Sequence, residues 1–466
     1  MEKKERYKRL LIFGLSTLEI IVLTGFFAAM WFLCFADNRQ ALHQVFIKGN
    51  YVVIGIHGLL MILFFRIFDG FKIGYLRVYE VLFSQILSVI CVNAVSYLQL
   101  CLIGRWRFLQ HIGPTLILTA ADLAFVLVCV VVTRWLYLRL YPSRKMVLVY
   151  GKYDPKMLIH KIAGRGDKYS IREAISYTES YEKIIEKIEE YGCVMMMDIP
   201  CSIRNKILKY CFYHNIRVYA VPKISDIMIM SATDIHLFDT SLLLMRNKEL
   251  SIEQAFLKRA FDIVMSVLAL VIASPIFLII ALCVKGYDGG PVFFRQERLT
   301  KDGKVFKVYK FRSMRVEKEK KEYCLTRKND DRVTPVGKIL RNIHFDELPQ
   351  LINILKGEMS FVGPRPECPG LAAEYKESIP EFDFRLKMKA GLTGFAQVYG
   401  KYNTTPYDKL KLDLTYIENY SFMLDLKLLI LTFKILFQKE NTEGIEQWQT
   451  TAAVENKLES SDEVKV

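Results

Sequence analysis

The most prominent pattern in the sequence is a series of four long apolar runs in its first third, at residues 11–35, 51–65, 80–103 and 114–138. A helix that crosses a bilayer needs about 20 apolar residues, so three runs are long enough and the second is slightly short. The first run is too long, and the next follows too closely, for a cleaved signal peptide. The pattern predicts a bundle of four transmembrane helices over residues 1–145 rather than the buried helices of a soluble protein.

Lysine and arginine residues around these runs predict the orientation of the bundle. Twelve of them lie at the N-terminus, in the loop after the second run and at the exit from the fourth: Lys3, Lys4, Arg6, Lys8, Arg9, Arg66, Lys72, Arg77, Arg134, Arg139, Arg144 and Lys145. The two other loops carry only four, which are Arg39, Lys48, Arg105 and Arg107. Because positive charge is enriched in cytoplasmic loops, both ends of the bundle are expected in the cytoplasm.

The pattern of hydrophobic and polar residues changes after the bundle. Short strand-like segments at 146–150, 193–199 and 216–221 alternate with helical stretches, which is typical of a small parallel α/β domain, here over residues 146–248. A dinucleotide-binding loop would have glycines at 151, 153 and 156, but the sequence has Gly151, Tyr153 and Lys156. We therefore expect a degenerate Rossmann-like domain that serves as a scaffold or regulatory module, with cofactor binding the less favoured alternative.

A fifth apolar run, at residues 261–284, is flanked by Lys258 and Arg259 on one side and Lys285 on the other. Ser274-Pro275 lies just past its middle, and proline breaks or kinks a helix because it lacks an amide hydrogen and crowds the preceding turn. Positive charge at both ends favours a re-entrant helix that breaks at Ser274-Pro275 and returns to the cytoplasmic side. A kinked helix that crosses completely is the alternative.

Basic residues are concentrated after this run, with seventeen Lys or Arg against eight Asp or Glu in residues 285–345. Aromatic and basic residues alternate over Phe306–Met314, which predicts a strand with one cationic edge that carries Lys310 and Arg312. Such an edge can hold a diphosphate, since arginine binds phosphate in two-point fashion and lysine binds it as a point charge.

An acidic pair follows in the segment 341–366. Apolar residues there recur at helical spacing and Gly357 is a natural stop: Phe345, Leu348, Leu351, Ile352 and Leu355. Because proline is tolerated in the first helical turn, Pro349 predicts a helix start near Asp346. Asp346 and Glu347 would then lie at the positive end of the helix dipole, where phosphate also binds. A carboxylate can attack phosphorus and a second can hold Mg²⁺, although an isolated pair of this kind is more often a helix cap and a solvated acid.

Four phrases, in order, resemble the catalytic domain of the bacterial sugar transferases, the polyprenyl-phosphate hexose-1-phosphate transferases. They are the apolar helix with Ser274-Pro275, YKFRSM at 309–314, FDELPQL at 345–351, and SFVGPRP with GLTGFAQV at 360–366 and 391–398. The resemblance covers residues 256–438, and the preceding part is similar to the long form of the family. It implies a membrane helical bundle plus α/β fold, with a catalytic domain over residues 249–440 that contains the re-entrant helix 261–284.

The resemblance also implies a two-step exchange. Asp346 would attack the sugar-bearing phosphorus of a nucleotide-sugar, a UDP-hexose by family likeness, and polyprenyl (undecaprenyl) phosphate would then take the phosphosugar. Glu347 would bind Mg²⁺. Candidate contacts for the diphosphate or the lipid phosphate are Lys310, Arg312, Arg341 and Arg365. The implied location is the cytoplasmic face of the bacterial inner membrane, and the implied role is the first step of exopolysaccharide, capsule or O-antigen synthesis.

Three other classes of protein fit the sequence less well. A membrane-anchored nucleotide-sugar dehydratase or epimerase would need a glycine-rich βαβ start, which residues 285–466 lack. The net charge of +15 suggests a nucleic-acid-binding protein, but much of the charge lies at membrane borders and around the acidic pair. A non-catalytic scaffold is disfavoured because the acidic pair and its basic phrases are intact.

A few features leave alternatives open. The oligomeric state is open, and the α/β domain offers a surface for a homodimer. Residues 421–439 are too polar to span a membrane and predict either an interfacial helix or ordinary core packing. Gly363, Gly391 and Gly394 are expected to serve turns rather than chemistry. The polar tail, 441–466, is expected to be disordered.

Overall fold

A computed structural model describes residues 7–36, 47–106, 109, 111–151, 155–245, 249–315, 332–400 and 404–436. The tail expected to be disordered, 441–466, lies outside these residues. Contacts divide the chain into a first unit, Met1–Val221, and a second unit, Pro222–Val466.

The first unit begins with four long helices that coincide with the four predicted runs. They are α1 (Lys8–Met30, continued by a π-helical turn at Trp31–Phe35), α2 (Ile47–Ile67), α3 (Val78–Ile103) and α4 (Gly113–Leu140). The second helix is longer than its apolar run, and its 21 residues are enough to cross a bilayer. Together with one helix of the second unit, five helices of the described chain are long and apolar enough for a membrane span. The chain is therefore membrane-associated.

Polar contacts hold the interior of this bundle together through α3. Gln85 of α3 donates to Glu19 of α1 at 3.2 Å, and Asn93 of α3 donates to Asp122 of α4 at 2.9 Å. Such hydrogen bonds between helices are a common means of packing in an apolar solvent. The ring of His57 on α2 also lies 2.8 Å from the hydroxyl of Ser96 on α3. Each of the other three helices therefore has at least one polar contact with α3.

The rest of the first unit is an α/β domain. It contains β1 (Arg144–Tyr150), α5 (Lys156–Ala163), β2 (Tyr169–Ser176), α6 (Tyr181–Tyr191), β3 (Cys193–Met197), α7 (Cys201–Tyr213) and β4 (Arg217–Ala220). The four strands form a parallel sheet in the order β2-β1-β3-β4, which confirms the predicted α/β region. A Cβ atom on Gly151 would lie 1.9 Å from the carbonyl oxygen of Asp198, so this glycine has a packing role that does not depend on a bound nucleotide.

The second unit contains the remaining elements. They are α8 (Ile224–Met230), β5 (Thr233–Leu237), β6 (Thr240–Leu244), α9 (Ile252–Asp288), β7 (Phe293–Leu299), β8 (Val305–Phe311), α10 (Pro335–Asn342), α11 (Gln350–Lys356), β9 (Met359–Val362), α12 (Pro369–Ser378), β10 (Ala390–Thr393), α13 (Phe395–Tyr399), α14 (Pro406–Glu418) and α15 (Phe422–Leu436). Strands β5 and β6 form one antiparallel hairpin, β7 and β8 form another, and β9 pairs with β10 in parallel.

The core of this unit includes α8. Ile224 and Ile227 are buried with Leu351, Leu410 and Leu414, which come from α11 and α14. Contacts therefore divide the chain at Val221/Pro222, whereas the domain boundaries drawn from the sequence, at 145, 248 and 440, stay predictions.

The long apolar helix α9 is continuous from Ile252 to Asp288, with Pro275 inside it. The helix does not end at the predicted break, and the hydroxyl of Ser274 donates to the carbonyl of Val271 at 2.8 Å. It is capped by Ser251, whose side chain accepts from the amide of Gln254. Beyond the helix, Gly289 adopts φ of 69°, a left-handed conformation that suits glycine as a stop.

Buried charges attach the start of α9 to the domain. Lys258 donates to Asp425 of α15 at 2.5 Å and to the carbonyl of Val362 at 2.9 Å, and the hydroxyl of Tyr416 also donates to Asp425. Burial raises the pKa of Asp425, although Lys258 opposes the rise. Leu428 of α15 is fully buried, so the described part of this helix packs in the core, as one of the two sequence alternatives proposed.

Candidate active site

The acidic pair lies on a single 3-10 turn, Phe345–Glu347, between α10 and α11. The predicted helix start near Asp346 is wrong, because α11 begins at Gln350 with Pro349 as its N-cap. Pro349 has no amide to donate to the carbonyl of Phe345, so an α-helical bond cannot form there. Instead, the amide of Leu348 bonds to Phe345 at 3.3 Å, which gives the tighter turn.

Asp346 is largely withdrawn from water, with 8% of its surface exposed. Burial raises the pKa of Asp346, whereas the positive charges of Lys310 and Arg341 lower it in part. Its carboxyl group is therefore a desolvated acid with cations beside it, an arrangement that is often found at functional sites.

Two basic side chains contact the same carboxylate oxygen of Glu347. The Nζ atom of Lys310 lies 2.6 Å from its Oε1, and the Nη2 atom of Arg365 lies 3.1 Å from the same atom. Burial alone would raise the pKa of Glu347, but Lys310 and Arg365 outweigh it and hold the pKa well below its usual value. Glu347 is therefore ionised across the physiological pH range.

The structure brings three of the four predicted basic residues to the acidic pair. Lys310 on β8 and Arg365, after β9, both contact Glu347. Arg341 on α10 is held by a 2.9 Å hydrogen bond to the hydroxyl of Ser313, and its charge acts on Asp346. Binding of phosphate by these residues stays a prediction.

Arg312 is placed differently. Only 7% of it is exposed, and its Nη2 atom lies 3.4 Å from the carbonyl of Val284, near the end of α9. A Cβ atom on Gly290 would lie 2.7 Å from its guanidinium group. Alternation along a strand would put it beside Lys310, but β8 ends at Phe311. Arg312 thus packs against the end of α9.

The loop that carries Arg365 is fixed through its backbone. Arg385 donates to the carbonyl of Arg365 at 2.9 Å, and Arg298 donates to that of Pro366 at 3.2 Å. The amide of Leu299 donates to the carbonyl of Glu367 at 2.9 Å. The position of Arg365 therefore depends on residues from β7 and from the segment before β10.

A buried group of four charged residues lies behind this loop and was not found from the sequence. Arg385 lies 2.7 Å from Asp413 and 3.3 Å from Glu367, and Lys409 also pairs with Glu367. Burial alone would raise the pKa of Glu367, but Lys409 and Arg385 bring the pKa down to about 2. No local pattern marks these residues, because the members of each ion pair are 18 to 42 positions apart and alternate with ordinary surface charges.

Three glycines allow two loops of the site to touch through their backbones. A Cβ atom would lie 2.2 Å from the carbonyl of Lys389 if added to Gly363, and 2.1 Å from the backbone of Gly363 if added to Gly391 or Gly394. These glycines serve close backbone packing, and Gly391 does so from within β10 rather than from a turn.

An open pocket lies beside the pair and is lined in part by Glu347. Its lining comes from β7, β8, the 3-10 turn, α11, the segment after β9 and β10: Arg298, Val308, Lys310, Glu347, Gln350, Arg365, Pro366, Gly391 and Leu392. Three cations against one carboxylate make the pocket suitable for an anion with several charges, such as a diphosphate.

The acidic pair also fits a magnesium ion. No group of three or more His, Cys, Asp or Glu side chains lies together in the described chain, so protein groups alone do not form a cage. Mg²⁺ usually keeps several waters and binds through one or two carboxylates together with substrate phosphates. Asp346 and Glu347 supply such a pair, and both ion pairs of Glu347 use Oε1.

The residues of this site lie within a segment that is similar to a known protein family. Residues 253–439 match the family model described as bacterial sugar transferase. A "UDP-glucose:undecaprenyl-phosphate glucose-1-phosphate transferase" of Klebsiella pneumoniae is 46% identical over 180 residues, which are 38% of this chain and 39% of the relative. The chain thus matches about two fifths of that protein's length, and the same holds for a relative in Escherichia coli.

Other relatives match a longer part of the chain. A "UDP-N-acetylgalactosamine-undecaprenyl-phosphate N-acetylgalactosaminephosphotransferase" of Aeromonas hydrophila is 30% identical over 353 residues, which are 74% of this chain and 79% of the relative. An "undecaprenyl-phosphate galactose phosphotransferase" of Salmonella typhimurium is 34% identical over 248 residues, 49% of this chain and 51% of the relative.

Proposed function

This chain belongs to the bacterial sugar transferase family, and from that premise we propose that it transfers a hexose-1-phosphate from a UDP-hexose to undecaprenyl phosphate. The observation that carries the proposal is the placement of Asp346 beside an ionised Glu347, which Lys310 and Arg365 contact at the edge of an open pocket. The names of the relatives agree, since they specify UDP-sugar donors and undecaprenyl phosphate.

In the proposed first step, a carboxylate oxygen of Asp346 attacks the phosphorus that carries the sugar. The bond from this phosphorus to the bridging oxygen breaks, and uridine monophosphate leaves with the electron pair. An aspartyl-phosphosugar remains on the enzyme. Lys310 and Arg365 bind the diphosphate and stabilise the charge that develops on the leaving phosphate.

In the proposed second step, a phosphate oxygen of undecaprenyl phosphate attacks the same phosphorus. The bond to Asp346 breaks, the carboxylate is restored, and the product is a lipid diphosphate that carries the sugar. No proton is taken up or released in either displacement, so neither step requires a dedicated general acid or base.

Glu347 has a supporting role in this scheme. It orients Lys310 and Arg365, because both donate to its Oε1 atom. With Asp346 it would also hold Mg²⁺, which neutralises phosphate oxygens when bound. The low pKa of Glu347 keeps the carboxylate available for that purpose at neutral pH.

We propose further that α9 enters the membrane from the cytoplasmic face and returns to it. The support is that both ends of α9 bind neighbouring parts of one domain. Arg259 donates to the carbonyls of Ile354 and Leu355 in α11, and Arg312, next to β8, reaches the carbonyl of Val284.

The distances favour this return. A straight helix from residue 259 to 284 would be about 38 Å long. Strand β8 and helix α11 are in direct contact, since the amide of Tyr309 donates to Asn353 at 2.9 Å, and the three residues from Tyr309 to Arg312 span only about 10 Å. Contacts of both helix ends with one domain therefore support a return of α9 to the face from which it enters.

The proposed location is the bacterial inner membrane, with the site on the cytoplasmic face, where nucleotide-sugars are made. The proposed role is the first step of exopolysaccharide, capsule or O-antigen synthesis. The name of a relative from Rhizobium leguminosarum, "Exopolysaccharide production protein PSS", supports that role. This relative is 43% identical to the chain over 182 residues.

The direct test uses the full chain in lipid nanodiscs, a short-chain polyprenyl phosphate, Mg²⁺ and a panel of nucleotide-sugars. We expect release of uridine monophosphate from a UDP-hexose, dependent on the lipid, and none from the matched variant Asp346→Asn. Release of uridine diphosphate would instead mean transfer of the sugar alone. No release from any sugar of the panel would contradict the proposal.

A further inference from the structure

Basic side chains lie close together where the helix bundle adjoins the α/β domain, within the first unit. Lys8 is the first residue of α1, and Arg165 and Lys168 lie in the connection between α5 and β2. The Nη1 atom of Arg165 donates to the carbonyl of Tyr75, in the loop between α2 and α3, at 2.7 Å. The α/β domain is thus attached at this place to the end of the bundle where α1 begins and α4 ends.

Tyrosine rings hold the two lysines at this junction. The Nζ atom of Lys8 lies 4.8 Å from the ring centroid of Tyr137 in α4, and that of Lys168 lies 4.4 Å from the ring centroid of Tyr75. A Cβ atom on Gly74 would lie 2.4 Å from the ring of Tyr137, so the loop that carries Tyr75 touches α4 directly. Lys8 and Lys168 therefore lie over rings that belong to neighbouring segments.

Neither lysine has an acidic partner in the part of the chain that the structure describes. Asp167, the residue before Lys168, pairs with Arg165 instead, at 3.1 Å. Burial lowers the pKa of Lys168, and the positive charges of Arg165 and Lys8 lower it further. Because the two ammonium groups repel each other, an anion placed between them would be stabilised.

Further donors increase the positive charge of this junction. The buried Nη2 atom of Arg165 has no hydrogen-bond partner within the described residues, which leaves one nitrogen of that guanidinium group unsatisfied. Arg77 is also close, since a Cβ atom on Gly164 would lie 3.1 Å from its Nη2 atom. The first turn of α1 contains no acidic residue, so the positive end of its helix dipole is not neutralised there.

We propose that the junction binds the phosphate group of an anionic membrane phospholipid between Lys8 and Lys168. Lys8 lies at the end of a helix that is long and apolar enough to span a membrane, and a lysine at such a place reaches the depth of the headgroups. Basic pockets beside the ends of membrane helices are a known means of binding phospholipid headgroups. One phosphate would thus contact both the bundle and the α/β domain.

The surroundings favour a lipid over a soluble phosphate compound. Tyr75 is 60% exposed, and exposed tyrosine is enriched where a membrane meets water. A lipid whose phosphate binds Lys8 would extend its acyl chains along α1, where Leu10 and Phe13 are 66% and 70% exposed. Such a lipid gains apolar contacts in addition to its phosphate contacts, whereas a soluble phosphate has only the latter.

The experiment uses native mass spectrometry of the full chain released from detergent micelles, with phosphatidylglycerol or phosphatidylcholine added. Wild type should bind the anionic lipid more tightly. The double variant Lys8→Gln, Lys168→Gln should bind phosphatidylglycerol about 30-fold more weakly, because each basic residue near a membrane surface contributes a similar part of the attraction. The control Lys206→Gln, Lys209→Gln removes the same charge from an exposed part of α7 and should bind as wild type does.

A second variant preserves the charge. Lys8→Arg, Lys168→Arg should retain the affinity of wild type for phosphatidylglycerol, because arginine also binds phosphate and lies over aromatic rings. Equal affinities of the glutamine variant and its control would overturn the proposal, as would a wild type without preference for phosphatidylglycerol over phosphatidylcholine. Inorganic phosphate or glycerol phosphate is the third arm. An equal rise of the unfolding temperature with these soluble compounds would overturn the assignment to a lipid.

Discussion

Arg385 donates a hydrogen bond of 2.9 Å to the main-chain carbonyl of Arg365, while the side chain of Arg365 lies 3.1 Å from Glu347. A fully buried guanidinium group thus fixes the backbone beneath a cation that contacts the acidic pair. Arg385 is itself held by Asp413 and Glu367. The relationship identifies Arg385 as a positioning residue for the site.

We expect Arg385→Lys to keep the buried charge but lose the bond to the carbonyl of Arg365. The loss of one hydrogen bond to a charged group should lower kcat/KM on the order of 10-fold, chiefly through KM for the nucleotide-sugar. The control is Lys376→Gln, which removes an exposed ion pair with Asp383. Equal kcat/KM for Arg385→Lys and wild type, in a folded protein, would contradict a positioning role.

The pH dependence of kcat/KM should report Asp346. Because burial raises the pKa of Asp346, activity should fall with decreasing pH at a higher pH than for an ordinary aspartate. Arg341 lowers that pKa, so Arg341→Met should move the acid limb to still higher pH. Lys307→Met on β8 is the control and should leave the limb in place. If the acid limb of the Arg341 variant stays at the wild-type pH, Arg341 does not lower the pKa of Asp346.

The membrane bundle should be dispensable for chemistry, because the site residues all lie in the second unit. A chain that begins at Pro222 keeps α8 and should retain activity in nanodiscs. A chain that begins at Ser251 lacks Ile224 and Ile227, whose burial contributes about 3 kcal/mol or more to stability. It should therefore unfold at a lower denaturant concentration. A folded but inactive Pro222 chain would show that the first unit contributes to the site.

The path of α9 can be tested by labelling. Cysteines that replace Ala255 and Tyr287 in a cysteine-free background should both resist an impermeant maleimide in intact cells, because both ends of a re-entrant helix are cytoplasmic. Position 287 alone would react if the helix crossed the membrane. Pro275→Ala should straighten the helix and increase labelling at 287.

Features that depend on local pattern could be predicted from the sequence. The four apolar runs correspond to α1 to α4, and the strands predicted at 146–150, 193–199 and 216–221 correspond to β1, β3 and β4. Strand β2 was missed, since YSIREAIS at Tyr169–Ser176 has charges within a segment that was predicted as helical. The 3-10 turn at Phe345–Glu347 could not be predicted, because a proline at position 349 is compatible both with the first turn of a helix and with the N-cap of a helix that begins at Gln350.

Features that depend on distant segments could not be predicted. Arg312 follows the same alternation as Lys310, and only the end of β8 at Phe311 separates them. The pairing of Glu367 with Arg385 and Lys409 joins residues far apart in the chain. A linear pattern contains no signal that distinguishes such buried charges from those on the surface.

The central claim is that Asp346 becomes covalently bound to the phosphosugar. Full-length protein mixed with a UDP-hexose that is isotopically labelled in its β-phosphate, without a lipid acceptor, should gain the mass of one hexose phosphate on the peptide that contains Asp346. Undecaprenyl phosphate should then discharge it, and Asp346→Asn should gain no mass while remaining folded. Turnover by wild type without such an adduct, or the same adduct on Asp346→Asn, would contradict the account.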